Sequence, residues 1–211
     1  MLSALPWPAH GLRDVGVLRL RASQADAFYF LADKGQYLHD QWGRDTQAAM
    51  GWLSARGRFV HLYLNGLYWG LYNLAEEPTA AFASDHLGGD EDDWDVIKEG
   101  SVVGTEWVPE IEDGDDAAFR EMRAVLAESP DPDPADPADR ARYERIASLV
   151  DLAQHADYTL LQIYGANTDW PNKNWRIARD RVLGDRFQTF VWDYEHLTAL
   201  HDDPDRGFCV P

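Results

Sequence analysis

Asn167-Thr168-Asp169-Trp170-Pro171-Asn172-Lys173-Asn174 opens the stretch that decides how this chain is read, and Trp192-Asp193-Tyr194-Glu195 closes it. Between them lie two strand-like runs, 174–179 and 187–192, with Gly184-Asp185 as the turn. A hairpin brings its two ends back to the same side. The first strand begins beside Asp169 and the second ends at Asp193, so two carboxylates 24 positions apart share a neighbourhood. Converging oxygen donors of this kind point to a candidate site for a divalent cation and phosphate.

Working outward, residues 15–21 (Val-Gly-Val-Leu-Arg-Leu-Arg) alternate apolar and basic side chains, the period of a half-buried strand. Arg19 and Arg21 share a face that is either solvated or, if it lines a cleft, able to hold phosphate through paired hydrogen bonds. Residues 37–50 predict an amphipathic helix whose apolar positions are Tyr37, Leu38, Trp42, Ala48, Ala49 and Met50, with Gly51 as its stop. Asp40, Arg44 and Asp45 read as surface ion pairs on that helix. Asn65-Gly66 between 58–64 and 67–74 is a strong hairpin turn, and Glu76 and Glu77 follow its second strand. A short helix is expected over 78–86 and a short strand over 94–98 that ends in Lys98, one of three lysines with Lys34 and Lys173. Lys98 is either a snorkelling surface lysine or a phosphate ligand reaching from an apolar wall.

Residues 115–128 predict a helix and 129–139, rich in Pro, Asp and Ala, a solvated linker. Residues 140–165 give one long or two broken helices. Their apolar face, including Leu149, Val150, Leu160, Leu161, Ile163 and Tyr164, is expected to be the core of the C-terminal half. His155 and Asp157 read as polar-face or packing residues.

A length of 211 residues suits a single domain, divided here into a strand-rich part over about 1–114 and a helical part over about 140–211 that carries the hairpin. Both ends read as abrupt, so the chain is expected to be a piece of a longer protein, truncated at one or both ends. The net charge of −18 excludes the basic surface that nucleic-acid binding needs, and it disfavours docking on anionic membranes. It suits solubility, divalent cations or a basic protein substrate. No apolar run approaches the roughly 18 residues of a membrane span. Cys209 is the one cysteine, so no intrachain disulfide forms.

Asp169 is followed five residues later by Asn174. Protein kinases use this spacing in the catalytic loop, where the Asp accepts the proton of the attacking hydroxyl. The Asn and a second Asp beyond a short hairpin hold Mg²⁺ against the phosphates. Together with Asn65-Gly66-Leu67-Tyr68-Trp69-Gly70-Leu71-Tyr72-Asn73-Leu74 and Glu76, the two acidic motifs resemble the CotH family from about Leu18 to Glu195. Those are spore-coat-type proteins with a divergent protein-kinase-like fold.

The resemblance implies an α+β, two-lobed fold of antiparallel hairpins packed with helices. It implies transfer of phosphate from ATP, with Mg²⁺ or Mn²⁺, to Ser or Thr of a coat or secreted protein, at the spore coat or cell surface. On that resemblance Asp169 is the catalytic carboxylate, Asn174 and Asp193 are metal ligands, and Lys98, Glu76 and Arg21 contact the nucleotide or position the residues that do. The chain departs from protein kinases in lacking a Gly-x-Gly-x-x-Gly loop and an Asp-Phe-Gly motif. The competing expectation is a structural coat or surface module that keeps the fold without catalysis. A metal-dependent hydrolase ranks last, because no His-rich cluster accompanies the carboxylates.

Overall fold

The computed structural model describes residues 17–23, 25–27, 35–103, 106–129 and 131–197. Lys34, Cys209 and the beginning of the strand expected at 15–21 lie outside them. The elements are β1 (Leu18–Arg21), α1 (His39–Ala49), β2 (Gly57–Leu64), β3 (Leu67–Glu76), α2 (Ala80–Leu87), β4 (Trp94–Val103) and β5 (Glu106–Asp113), followed by α3 (Ala117–Ala127), α4 (Pro137–Leu149), α5 (Leu152–Tyr164), β6 (Trp175–Asp180) and β7 (Gln188–Val191). The fold is α+β. One antiparallel sheet has the order β1-β3-β2 and the other β5-β4-β6-β7.

The expected hairpins form. Asn65 and Gly66 take φ of 50° and 82°, the left-handed pair that a type I′ turn requires. Across β6–β7, Trp175 pairs with Val191 and Ala178 with Gln188, which returns the chain beside its starting point. The break between the two late helices falls at Val150 and Asp151, where Val150 bridges Phe187 and Asp151 caps α5 through Gln154 N–H. The linker ends in a similar cap: Asp136 accepts from Ala138 N–H, and Pro137 occupies the first turn of α4.

β5 was not expected, and β4 is five residues longer than expected. Pro109 disguises β5, but β5 is an edge strand, where the missing amide costs the sheet nothing. The β4–β5 register slips between Lys98 and Ser101. There a Cβ on Gly100 would fall 1.7 Å from the Val108 carbonyl oxygen, so only glycine fits.

Three apolar clusters hold the molecule together. Phe82, Trp94, Val96 and Phe190 tie α2 to the four-stranded sheet. Ile97, Phe119, Leu149, Ile177 and Phe187 tie α3 and α4 to the other face of the same strands. Tyr158, Leu161, Val191, Tyr194 and Leu197 join α5 to the chain leaving β7. Each such ring or branched side chain contributes roughly 1.5–3 kcal/mol by leaving water.

Two amphipathic readings are corrected. α1 turns Leu38, Trp42 and Met50 outward and buries His39, Asp40, Arg44 and Gln47. α5 buries Gln154, Tyr158, Leu161 and Gln162, while Leu160, Ile163 and Tyr164 stand exposed. The physical reason is backbone satisfaction at β7. Gln47 donates to Thr189 O at 2.8 Å and accepts from Val191 N–H at 3.0 Å. Gln154 accepts from Thr189 N–H at 2.8 Å and donates back to its carbonyl. Two glutamines thereby occupy the free edge of the strand that leads into the second acidic motif.

Candidate functional site

The loop carrying Asp169 is held against the segment that follows β7. Thr168 N–H donates to His196 O at 3.0 Å, and Asn167 forms an antiparallel bridge with Leu197. Lys173 N–H donates to Asp169 O at 2.9 Å and closes the loop on itself. Asn174, entering β6, donates from Nδ2 to Asp169 Oδ2 at 3.4 Å and to Asp193 O at 3.1 Å. The structure therefore brings Asp169, Asn174 and Asp193 together. Asn174 and Asp193 adopt φ of 64° and 54°. Left-handed backbone at a non-glycine residue costs about 1–3 kcal/mol and persists where surrounding contacts fix it.

Arg21 joins them from β1. Its guanidinium pairs with Asp193, with Glu195 at 2.9 Å and with Asp40 at 3.2 Å. It also lies 4.7 Å from the Trp192 ring centroid. Burial opposes the guanidinium's charge, but the three carboxylates outweigh that and raise its pKa. Burial pushes the Glu195 carboxyl up, Arg21 opposes the shift, and the Asp193 charge adds to it. Ala25 N–H donates to Glu195 Oε2 at 2.8 Å, and Tyr194 N–H donates to Asp40 Oδ1 at 3.0 Å. Arg21, Ser23, Ala25, Asp193, Glu195 and His196 line a cleft of about 370 Å³. His196 Nε2 stands 3.4 Å from Asp169 Oδ2.

Lys98 and Glu76 do not meet. Lys98 Nζ pairs with Glu110 at 3.0 Å and approaches Glu112 at 4.0 Å. Glu76 accepts from Arg56 at 2.8 Å and stands 3.3 Å from His86. Neighbours at the end of a strand face opposite ways, so Glu77 rather than Glu76 turns toward the site strands. Glu77 accepts from Arg176 at 2.7 Å and also pairs with Arg19. Arg176 pairs in turn with Glu112 and lies 4.6 Å from the Trp192 centroid. Lys98 is thus linked to the Arg21 cluster through Glu112, Arg176 and Trp192, without touching it.

The donor set bears on which metal could be held. Among the described residues no three His, Cys, Asp or Glu side chains converge as a cage. One carboxylate and one amide oxygen, from Asp193 and Asn174, suit Mg²⁺ or Mn²⁺, which complete an oxygen shell with water and phosphate.

Asp40, Glu77, Arg176 and His196 are the site residues that sequence reasoning missed. Asp40 and Arg44 were expected as surface ion pairs, yet both are buried, 3.1 Å apart. Their i,i+4 spacing was the available signal, but an apparent apolar stripe on the other face of α1 masked it. His196 directly follows the quoted acidic motif, and that adjacency was its signal.

Fold and site define an α+β chain in which a hairpin brings two acidic motifs together beside a half-buried arginine. The chain belongs to the CotH family: the model described as CotH kinase protein matches residues 32–206. A search of curated proteins gave no match. Among the described residues no helix is long and apolar enough to cross a membrane.

Proposed function

We propose that the chain is the kinase-like, two-lobed domain of an atypical protein kinase. It would transfer phosphate from ATP, with Mg²⁺ or Mn²⁺, to Ser or Thr hydroxyls of a coat or secreted protein. The observation that carries this reading is the Asn174 amide, which spans the Asp169 carboxylate and the Asp193 backbone across the β6–β7 hairpin.

In this reading Asp169 accepts the proton of the acceptor hydroxyl as its oxygen attacks the γ-phosphorus and the bond to the β-phosphate oxygen breaks. His196, 3.4 Å away, steadies the Asp169 carboxylate. Asp193 and Asn174 would hold the metal, whose charge would offset that of the phosphates. Arg21 turns part of its fork from Asp193 toward phosphate. Lys98 is recruited to the nucleotide from its pair with Glu110, a largely exposed partner that holds it weakly.

One observation favours a second reading, a coat or surface module without catalysis: Arg21 already pairs with the Asp193 carboxylate that a metal would use. Transfer of radiolabel from γ-labelled ATP to a Ser-rich acceptor peptide separates the two. The enzyme reading expects incorporation that Asp169→Ala lowers by a factor of about 10² or more. No incorporation by the wild type, or equal incorporation by the variant, supports the structural module.

A further inference from the structure

Behind the Asp169 loop lies a second concavity that the proposed phosphotransfer does not use. It has a volume of about 430 Å³. Its apolar walls include Phe119 on α3, Ile146 on α4, Phe187 before β7, and Trp170 and Trp175. Volumes of roughly 300–1,000 Å³ between several elements are typical of small-molecule sites, and they exceed what one docked side chain fills.

Three polar groups interrupt the apolar lining: His155, Tyr158 and Thr189. His155 Nδ1 stands 3.1 Å from Thr189 Oγ1. Tyr158 is 2% exposed, and its hydroxyl lies against Gln162 and Trp170, closed to solvent. Among the described residues no Asp, Glu, Lys or Arg lines the groove, and burial lowers the His155 pKa, favouring its neutral form. A charged ligand would enter this site without a counter-charge.

We propose that this groove is a binding site for a neutral, largely apolar small molecule with one hydrogen-bonding head group. The apolar body lies against Trp170, Trp175 and Phe187, and the head group meets the His155 imidazole beside Thr189. Trp170 and Pro171 directly follow Asp169, and Trp175 directly follows Asn174. An occupant therefore presses on the chain neighbours of both residues, so the site is placed to modulate the loop.

The test uses N-phenyl-1-naphthylamine, a neutral aromatic amine that becomes fluorescent in apolar sites and accepts excitation from tryptophan. The whole chain should bind one probe saturably, without ATP or metal. Failure of phosphotransfer would thus leave this outcome untouched. Met122→Trp, which fills the groove, should weaken binding about tenfold or more while far-UV circular dichroism is retained. If that variant does not fold, Leu126→Glu at the exposed rim should give a loss in the same direction. Trp69→Ser, on the exposed tip of the β2–β3 hairpin, should leave binding unchanged. Absence of saturable binding overturns the proposal. So does affinity indifferent to the groove variants, or affinity lost with Trp69→Ser, which would mean that the probe reads the hairpin's exposed rings.

Discussion

Replacing Arg21 by methionine tests how far one side chain holds the candidate site together. Methionine keeps an unbranched apolar stem and removes the guanidinium. Three carboxylates lose a partner, and the losses differ. Asp40 keeps Arg44 at 3.1 Å and the Tyr194 N–H, so its penalty is small. The Asp193 side chain is 41% exposed and is screened by water, so its loss is worth at most about 1 kcal/mol. Glu195 is buried and keeps the Ala25 N–H as a donor. Removing one partner of a fully buried pair costs about 3–5 kcal/mol, and the remaining donor trims that for Glu195. The lost contact with Trp192 adds about 1 kcal/mol.

The expected loss is therefore about 3 kcal/mol, read from urea unfolding at neutral pH. It corresponds to a fall in Tm of about 6–12 °C for a chain of this size. Mg²⁺ should restore more stability to Arg21→Met than to the wild type, because it replaces a missing positive charge. A loss below about 1 kcal/mol would refute the view that Arg21 organises the carboxylates. Equal stabilisation of both proteins by Mg²⁺ would refute the view that it shares their site with a cation.

Two further outcomes follow from other contacts. Burial alone would raise the Glu76 carboxyl, but hydrogen bonds from His86 and Arg56 outweigh it and bring the pKa from 4.5 to about 2. A depressed carboxyl stabilises the fold above its unfolded pKa, and that stability is lost as pH falls toward 2. Glu76→Gln should cost about 2–3 kcal/mol at pH 7 in urea unfolding, with the gap closing between pH 4.5 and about 2; a gap constant with pH would contradict this. In Gly165→Ala the new Cβ would fall 1.8 Å from the Tyr194 hydroxyl, which donates to Leu161 O at 2.6 Å. Overpacking and the displaced hydrogen bond should together cost about 3 kcal/mol by the urea midpoint, and a cost under 1 kcal/mol would show that Tyr194 is not fixed there.

Both hairpins and the convergence on Asn174 were legible in the sequence because they rest on local signals: alternation, Asn-Gly, Gly-Asp and a five-residue spacing. The burial of Asp40, Arg44 and Gln47 was not. It depends on which backbone groups of β7 need partners, and that is known only once α1 lies against the strand. The same holds for α5, where an apolar stripe suggested the wrong inward face at Leu160, Ile163 and Tyr164. β5 escaped because a proline inside a strand is neutral only at an edge, and edges are a property of the assembled sheet. Glu76 was chosen over Glu77 because strand phase near the end of β3 is set by pairing: Glu76 lies opposite Leu18, and the chain then turns.

The central proposal is that Asp193 and Asn174 form a metal and nucleotide site beside Asp169. Calorimetric titration of the chain with ATP in the presence of Mg²⁺ or Mn²⁺ tests it most directly, with Asp193→Ala in parallel. The account predicts binding of one nucleotide per chain that requires the metal and is weakened about tenfold or more in the variant, a loss of about 1.4 kcal/mol or more. Absence of binding to the folded wild type, or equal binding by Asp193→Ala, would contradict it.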